Sequence, residues 1–315
     1  MTTHSVASTL RTPALGRADI CNIPPHAGKY AMRHLFLALS LIAPSTACAG
    51  DREDDLRRAV TLYASFDKEV GADRGRGDLW FGTRFNHPAE KGKFVFEKGF
   101  DAKAFRIAKG KGVHGGALEA VDVLPNNGRI FLPGKGALAY KKDGWGGALS
   151  VWINTDPDRL LKTAFCDPIQ ITQKGANNGG IWFDFNNDKP RTMRMGVFPA
   201  VKDGEKGIAE DDPNAPLLPV RNPGLKAGEW RHIVLSWRNL DTGKKDAEAT
   251  LYIDGKRIGA IAKRELAMRW DIDKVGIYVA VNYIGLLDEL ALFERALSAA
   301  EVETLHKRPG LFAGK

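Results

Sequence analysis

The chain is poor in cysteine, in long helical periods and in blocks of like charge. Its 315 residues contain three cysteines, Cys21, Cys48 and Cys166. Two of these precede the expected start of the mature chain, which keeps Cys166 alone and so has no internal disulfide. Cys166 reads as a small buried apolar residue rather than a reactive thiol. No periodic helical stretch of 15 residues stands out, and glycine is abundant at 34 residues. That combination favours many short strands joined by turns. The net charge is +8. Residues 1–49 carry four Lys and Arg and one Asp, leaving +5 for residues 50–315. With no block of five like charges, the charge is a solvated surface and argues against nucleic-acid binding; a weak attraction to acidic polymers stays open. His87, His114, His232 and His306 are scattered with no H-x-x-x-H pair, which speaks against a histidine metal centre. The glycine-rich stretch 110–116 matches no phosphate-binding pattern and reads as a turn.

The long apolar runs are also few. The one in residues 35–43 follows Met32-Arg33-His34 and precedes Ala47-Cys48-Ala49. A basic start, a short apolar run and an A-x-A site describe a secretory signal peptide over 32–49, cleaved near Ala49. The run is too short for a transmembrane span. Residues 1–31 are expected to be an upstream non-structural extension, with a genuine long leader as the alternative. A lipoprotein attached at Cys48 is a further alternative, although Ser45-Thr46-Ala47 lacks the usual large aliphatic residue. The mature protein is therefore expected to be secreted, periplasmic or at the cell surface.

From there the chain alternates. Residues 50–59 form a charged lead-in, flexible or a short helix. Residues 61–67 read as the first strand. Residues 117–121 and 129–132 flank a turn at Pro125-Asn126-Asn127-Gly128. In residues 181–198, Ile181, Phe183 and Phe185 fall on one face with Met193, Met195 and Val197, and Trp182, Asp184, Asn186 and Arg194 fall on the other. One apolar face and one Trp/Asp/Asn/Arg face describe a half-buried sheet. The polar face carries what sugar binding needs, a flat apolar ring beside hydrogen-bonding groups. Trp182 is the best candidate for an exposed ring and Tyr278 a weaker one, although core packing is the commoner fate of a strand Trp. The ligand set expected from this face is Trp182, Asp184, Asn186, Arg194 and Tyr278. Residues 202–228 are acidic and then Pro-rich, and read as a long loop. No internal repeat and no second domain is seen.

The last third is the most specific. Asp254-Gly255 lies between apolar runs as a two-residue hairpin turn. Residues 285–293 read as a strand with Leu286, Asp288, Leu290 and Leu292 on one side. Ser298 and Glu301 form a capping box at the start of a helix. Together, Trp230-Arg231-His232-Ile233-Val234, Leu251-Tyr252-Ile253-Asp254-Gly255, Gly285-Leu286-Leu287-Asp288-Glu289-Leu290 and Leu297-Ser298-Ala299-Ala300-Glu301 resemble the laminin G-like branch of the concanavalin A-like lectin/glucanase superfamily. The resemblance runs from Val60 to His306 and is tight only from Trp230.

It implies an all-β fold, an antiparallel two-sheet sandwich of jelly-roll type with a short C-terminal helix, over residues 60–307 with a tail at 308–315. It brings Asp67 and Asp288 together and implies a structural Ca²⁺ there; the alternative is an acidic strand end capping turn amides. The function implied is a secreted, non-catalytic module that binds carbohydrate or another cell-surface or extracellular polymer. Laminarinase-type hydrolases of the superfamily need an E-x-D-x-x-E strand motif, which this chain lacks. Glu210-Asp211-Asp212 sits in the Pro-rich loop, and Asp288-Glu289 points to opposite faces. A lyase would want a His/Tyr/Arg set, but His232 and Tyr252 match framework positions. A polysaccharide-degrading enzyme of the same fold, hydrolase or lyase, and a protein-binding adhesion module remain as alternatives.

Overall fold

The computed structural model describes residues 49–314, apart from 92, 126 and 127. The signal peptide, the extension before it, Cys21, Cys48 and the centre of the Pro125–Gly128 turn lie outside the described residues. Helix α1 (Ala49–Ala59) leads into strands β1 (Val60–Ala64), β2 (Arg74–Gly75), β3 (Gly82–Asn86), β4 (Phe94–Lys98), β5 (Phe105–Ile107), β6 (Leu118–Ala120), β7 (Arg129–Pro133) and β8 (Trp145–Asn154). One turn of helix, α2 (Pro157–Leu160), precedes β9 (Cys166–Gly175), β10 (Asn178–Phe185), β11 (Met193–Phe198), β12 (Leu217–Val220), β13 (Arg231–Leu240), β14 (Ala247–Ile253) and β15 (Lys256–Arg264). Strands β16 (Gly276–Val281) and β17 (Gly285–Phe293) and helix α3 (Ala299–Lys307) complete the order.

Two antiparallel sheets result. The first runs β15-β14-β13-β8-β17-β1-β2, with β6 on β17 and β5 on β6. The second runs β12-β11-β10-β9-β16-β7-β3-β4. Their facing sides form one core: Ile181, Phe183 and Met195 from the second sheet meet Val151, Leu235 and Leu292 from the first. Cys166 is a free, buried thiol in this core, as its composition implied.

Local chemistry explains the boundaries. Asp254 (φ 51°) and Gly255 (φ 77°) both adopt the left-handed conformation that a tight hairpin between β14 and β15 requires. Asp254 tolerates it because its Oδ1 accepts from the His232 amide, 3.0 Å away, and Oδ2 pairs with Arg231 at 2.8 Å. At α3, Ser298 Oγ accepts from the Glu301 amide and Glu301 Oε2 accepts from the Ser298 amide, 2.8 Å away. The capping box is present.

Simple alternation fails at two strands. On β17, Asp288 faces Trp152 and Ala291 faces Ser150, so one extra residue is inserted, and Glu289 takes φ 52°. The bulge puts Leu287, not Leu286, in the core beside Leu290 and Leu292. On β16, Ala280 has φ 52°, which sends Val281 to the outer side with Tyr278 and Ala280 to the core.

The outer face of the first sheet is covered. Leu56 of α1, Val302 and Leu305 of α3, and Leu311 and Phe312 of the tail pack on Tyr63 and Phe293. The lead-in is thus a helix, anchored by Leu56, which has no exposed surface. One leucine among charged residues leaves no amphipathic period to read. Residues 308–314 are likewise more than a tail, because Leu311 and Phe312 are buried. Glu53 of α1 pairs with Arg308 at 2.7 Å. Replacing Leu56 with Ala should destabilise the fold by ~2–4 kcal/mol through the cavity left under α1. Urea unfolding followed by tryptophan fluorescence would read this as a lower midpoint at unchanged slope.

Candidate functional site

The outer face of the second sheet remains open. On β10 the alternation sends Ile181, Phe183 and Phe185 inward, as expected, and Trp182 and Asp184 outward. On β9, Ile169 and Ile171 go inward and Gln170 and Thr172 outward. The strand registers place Phe131, Tyr278, Gln170 and Trp182 in one row. Arg84 and Arg129 stand directly opposite each other on β3 and β7. Tyr278, Gln170, Trp182, Arg84 and Arg129 line a cavity of about 690 Å³. Two phenylalanines on its border are solvent-exposed, Phe94 at 44% and Phe165 at 49%.

Trp182 is not the exposed ring. It is 1% exposed. Its indole stacks on Phe198 at a centroid distance of 5.8 Å and an interplanar angle of 10°. Its cross-strand partner is Gly196, where a Cβ would come within 2.3 Å of the indole, so glycine is what lets the ring lie down on the sheet. The Nε1–H donates to the Ala176 carbonyl at 3.0 Å. Trp182 therefore lines the cavity as part of a packed floor.

Asp184 and Arg194 are cross-strand partners on β10 and β11, and both are buried. Arg194 Nε donates to Asp184 Oδ1 at 2.9 Å, and Nη2 donates to Oδ2. Arg194 Nη1 reaches Glu210 Oε2 at 2.6 Å, and Asn177 donates to Glu210 Oε1 at 2.8 Å. Glu210 thus crosses from the loop after β11 to the cavity. Burial pushes the Asp184 carboxyl up to about 6, against the pull of Arg194, with Glu210 adding to the rise because the two carboxylates share one guanidinium. Burial, and then the Asp184 charge, drive Asp167 well above the usual carboxylate range.

Asn186 does not face the cavity. It closes the β10–β11 turn, donating to Asp188 Oδ2 at 2.6 Å and accepting from the Thr192 amide at 3.0 Å. Tyr278 is buried in the cavity floor, and its hydroxyl accepts from Arg84 Nη1 at 3.2 Å.

Asp67 and Asp288 converge on the glycine-rich loop 110–116. Asp67 Oδ1 accepts from the Gly116 amide at 2.6 Å. Asp288 Oδ2 accepts from the His114 amide at 3.2 Å and Oδ1 from the Glu289 amide at 2.8 Å. A Cβ on Gly112 would lie 2.6 Å from Asp288 Oδ2, and one on Gly115 2.0 Å from Asp67 Oδ1, so the loop forms a cradle only glycine permits. Burial raises the Asp288 carboxyl to about 8, the His114 amide opposing. Among the described residues no group of three or more His, Cys, Asp or Glu is arranged to hold a metal ion.

Several cavity residues escaped the sequence reading. Gln170 alternates with Ile169 and Ile171, a legible pattern. Arg84, Arg129, Asp167, Phe94 and Phe165 carry no motif, and only the strand order gathers them. Carboxyl-carbon NMR should find Asp184 titrating near 6. Because the native state holds that proton more tightly than the unfolded chain, its stabilising effect is complete below about pH 4 and is lost as pH rises through 6. Asp184→Asn should remove that part of the pH dependence of Tm.

No helix among the described residues is long and apolar enough to cross a membrane. No curated protein sequence matches the chain. Among solved structures, domain 4 of AbnA, a GH43 extracellular arabinanase from Geobacillus stearothermophilus in complex with arabinotriose, is similar at 17% identity, 79% of this chain, 99% of that chain and a TM-score of 0.44. A Ruminococcus gnavus IT-sialidase CBM40 bound to alpha2,3 sialyllactose is similar at 14% identity, 60% of this chain, 95% of that chain and a TM-score of 0.42. The receptor binding domain of botulinum neurotoxin C/D mosaic serotype is similar at 13% identity and a TM-score of 0.44, over 72% of this chain and 50% of that chain. A laminin G family model, described as concanavalin A-like lectin/glucanases superfamily, matches residues 138–303. The Asp254-Gly255 hairpin and the capped start of the closing helix lie inside that match, which covers more than half of the chain, and the chain belongs to the concanavalin A-like lectin/glucanases superfamily.

Proposed function

We propose that the protein is an exported, non-catalytic module that binds a polysaccharide in the cavity on the outer face of its eight-stranded sheet. The observation that carries this is the pair of exposed rings, Phe94 and Phe165, on the border of a cavity floored by Gln170, Thr172 and Asp184. A sugar ring presents an apolar face to an aromatic side chain and hydroxyls to polar groups, and this cavity offers both. The sheet's inward residues hold that floor rigid. Phe94→Ala and Phe165→Ala should each weaken glycan binding roughly tenfold, the ~1.4 kcal/mol scale of one aromatic contact, with Tm unchanged. A glycan array followed by affinity electrophoresis would check this. No loss in either variant would remove the stacking role.

One observation favours a second reading, glycan hydrolysis. Asp167 and Asp184 are buried carboxyls in one cavity, both shifted up, the property of a general acid. The first reading stands ahead because Arg194 holds both oxygens of Asp184. Release of reducing sugar in the binding assay, abolished by Asp167→Asn, would reverse the order.

The proposal includes a structural Ca²⁺ at Asp67 and Asp288. Two hard carboxylates on one glycine cradle are donors of the right kind for that ion. Bound there, the ion would tie β1 and β17 to the 110–116 loop. Millimolar calcium should raise Tm relative to chelator, and Asp288→Asn should cancel the rise; identical melting curves with and without calcium would exclude the site.

A further inference from the structure

Strand β4 is an edge of the eight-stranded sheet, and no strand pairs beyond it among the described residues. The His87 amide donates to the Lys93 carbonyl at 2.9 Å, and the Gly99 amide to the Phe81 carbonyl at 3.1 Å. Antiparallel bonding alternates, so Val95 and Glu97 also turn their backbone groups to β3. The amides and carbonyls of Phe94 and Phe96 therefore point out of the sheet edge. Their side chains share the cavity face. Phe94 borders the cavity, and Phe96 packs edge-on against Phe131 at a centroid distance of 5.2 Å. Phe96 is 57% exposed, more than any other large apolar residue among those described.

The other sheet edges are blunted. β2 and β5 are two and three residues long. β12 carries Pro219, and β15 carries Lys256, Arg257, Lys263 and Arg264. Short strands, proline and basic side chains are guards against edge-to-edge pairing. β4 and the residue before it read Lys93-Phe94-Val95-Phe96-Glu97 instead. Turned antiparallel on itself about Val95, that run is self-complementary. Phe94 falls opposite the partner's Phe96, and Lys93 opposite the partner's Glu97. Aromatic pairs and opposite charges are what stabilise neighbouring strands. The backbone fits the same register, because Phe94 and the partner's Phe96 can exchange both N–H···O bonds. Glu97 has no ion pair within its own copy among the described residues. Lys93 pairs with Glu90 at its own turn, and an ammonium keeps donors for a second carboxylate.

We propose that β4 pairs with β4 of a second copy, antiparallel about Val95, so that the protein associates as a two-fold dimer with one continuous sheet. The pairing consumes the same edge of both copies, so assembly closes at the dimer. A two-fold axis perpendicular to the sheet leaves both cavities open to the same side. One polysaccharide chain could then engage both, with a gain in avidity. That consequence rests on the cavity being a glycan site; the dimer does not. The interface is one short strand, the size of a transient contact, so its dissociation constant belongs at about 10–100 µM. Single copies prevail at the low micromolar concentrations of a melting curve.

Sedimentation velocity on residues 50–315, from about 2 to 200 µM, tests this without a ligand. The weight-average mass should rise from that of one copy towards that of two. Lys93, Val95 and Glu97 do not line the cavity, so substitutions there leave it intact. Glu97→Lys sets like charges opposite each other at both ends of the pairing, and should weaken association at least about tenfold. Lys93→Glu should do the same. Mixed together, the two variants should associate again, since every facing pair is then of opposite sign. A single copy of the unsubstituted protein at every concentration overturns the proposal, as does a dimer that both charge reversals leave intact. Val95→Cys checks the register independently of charge. The two copies of that position meet at the two-fold axis within reach of a disulfide, and the native Cys166 is buried. Mild oxidation should give a covalent dimer on a non-reducing gel. Its absence from a variant that circular dichroism shows to be folded overturns the pairing about Val95.

Discussion

Everything about the candidate site depends on which sheet face is left uncovered. Two sheets of this size have four faces. The two inner faces are joined by the core that runs through Ile181, Phe183, Leu235 and Leu292. A third is sealed by α1, α3 and the chain end through Leu56, Val302, Leu305, Leu311 and Phe312. The fourth, on the eight-stranded sheet, has no such cover among the described residues and carries the cavity. Apolar residues at the chain ends therefore decide where polar residues in the middle can meet solvent.

On that fourth face, charge is handled in two ways. Asp184 and Arg194 are opposite-sign partners on neighbouring strands and neutralise each other at close range. Burial still lifts the Asp184 carboxyl, and the Glu210 charge adds to the rise. Arg84 and Arg129 stand in opposed positions on β3 and β7, with aromatic rings against Arg84 and the Asp167 charge acting on Arg129. The cavity wall thus carries arginines on β3 and β7 and carboxylates on β9 and β10.

Positive φ at non-glycine residues does comparable work in the backbone. Glu289 and Ala280 each break the period of two inside a buried strand. The first lets Asp288 and Glu289 turn away from each other, Asp288 to the glycine loop and Glu289 to Tyr63, whose hydroxyl donates to it at 2.6 Å. The second moves Val281 into the cavity lining beside Tyr278. Neither residue type advertises this conformation, so a strict alternation misplaces Leu286 and Val281 although it places their neighbours well.

The sequence by itself determined the Asp254-Gly255 hairpin, the Ser298/Glu301 cap and the inward stripe of β10 and β11, while the sandwich was what the laminin G-like resemblance implied. These are local facts: turn residues, caps and a period of two depend on neighbours a few positions away. It also placed Trp182, Asp184 and Tyr278 on the right face. Only the tertiary structure decided that Trp182 lies buried on Gly196, that Asn186 folds into its own turn, and that Glu210 returns from a Pro-rich loop to meet Arg194. It alone gathered Arg84, Arg129, Gln170, Phe94 and Phe165 around one cavity. Those residues lie on strands that are distant in sequence and adjacent in the sheet, and the order of strands is set by how whole faces bury against one another.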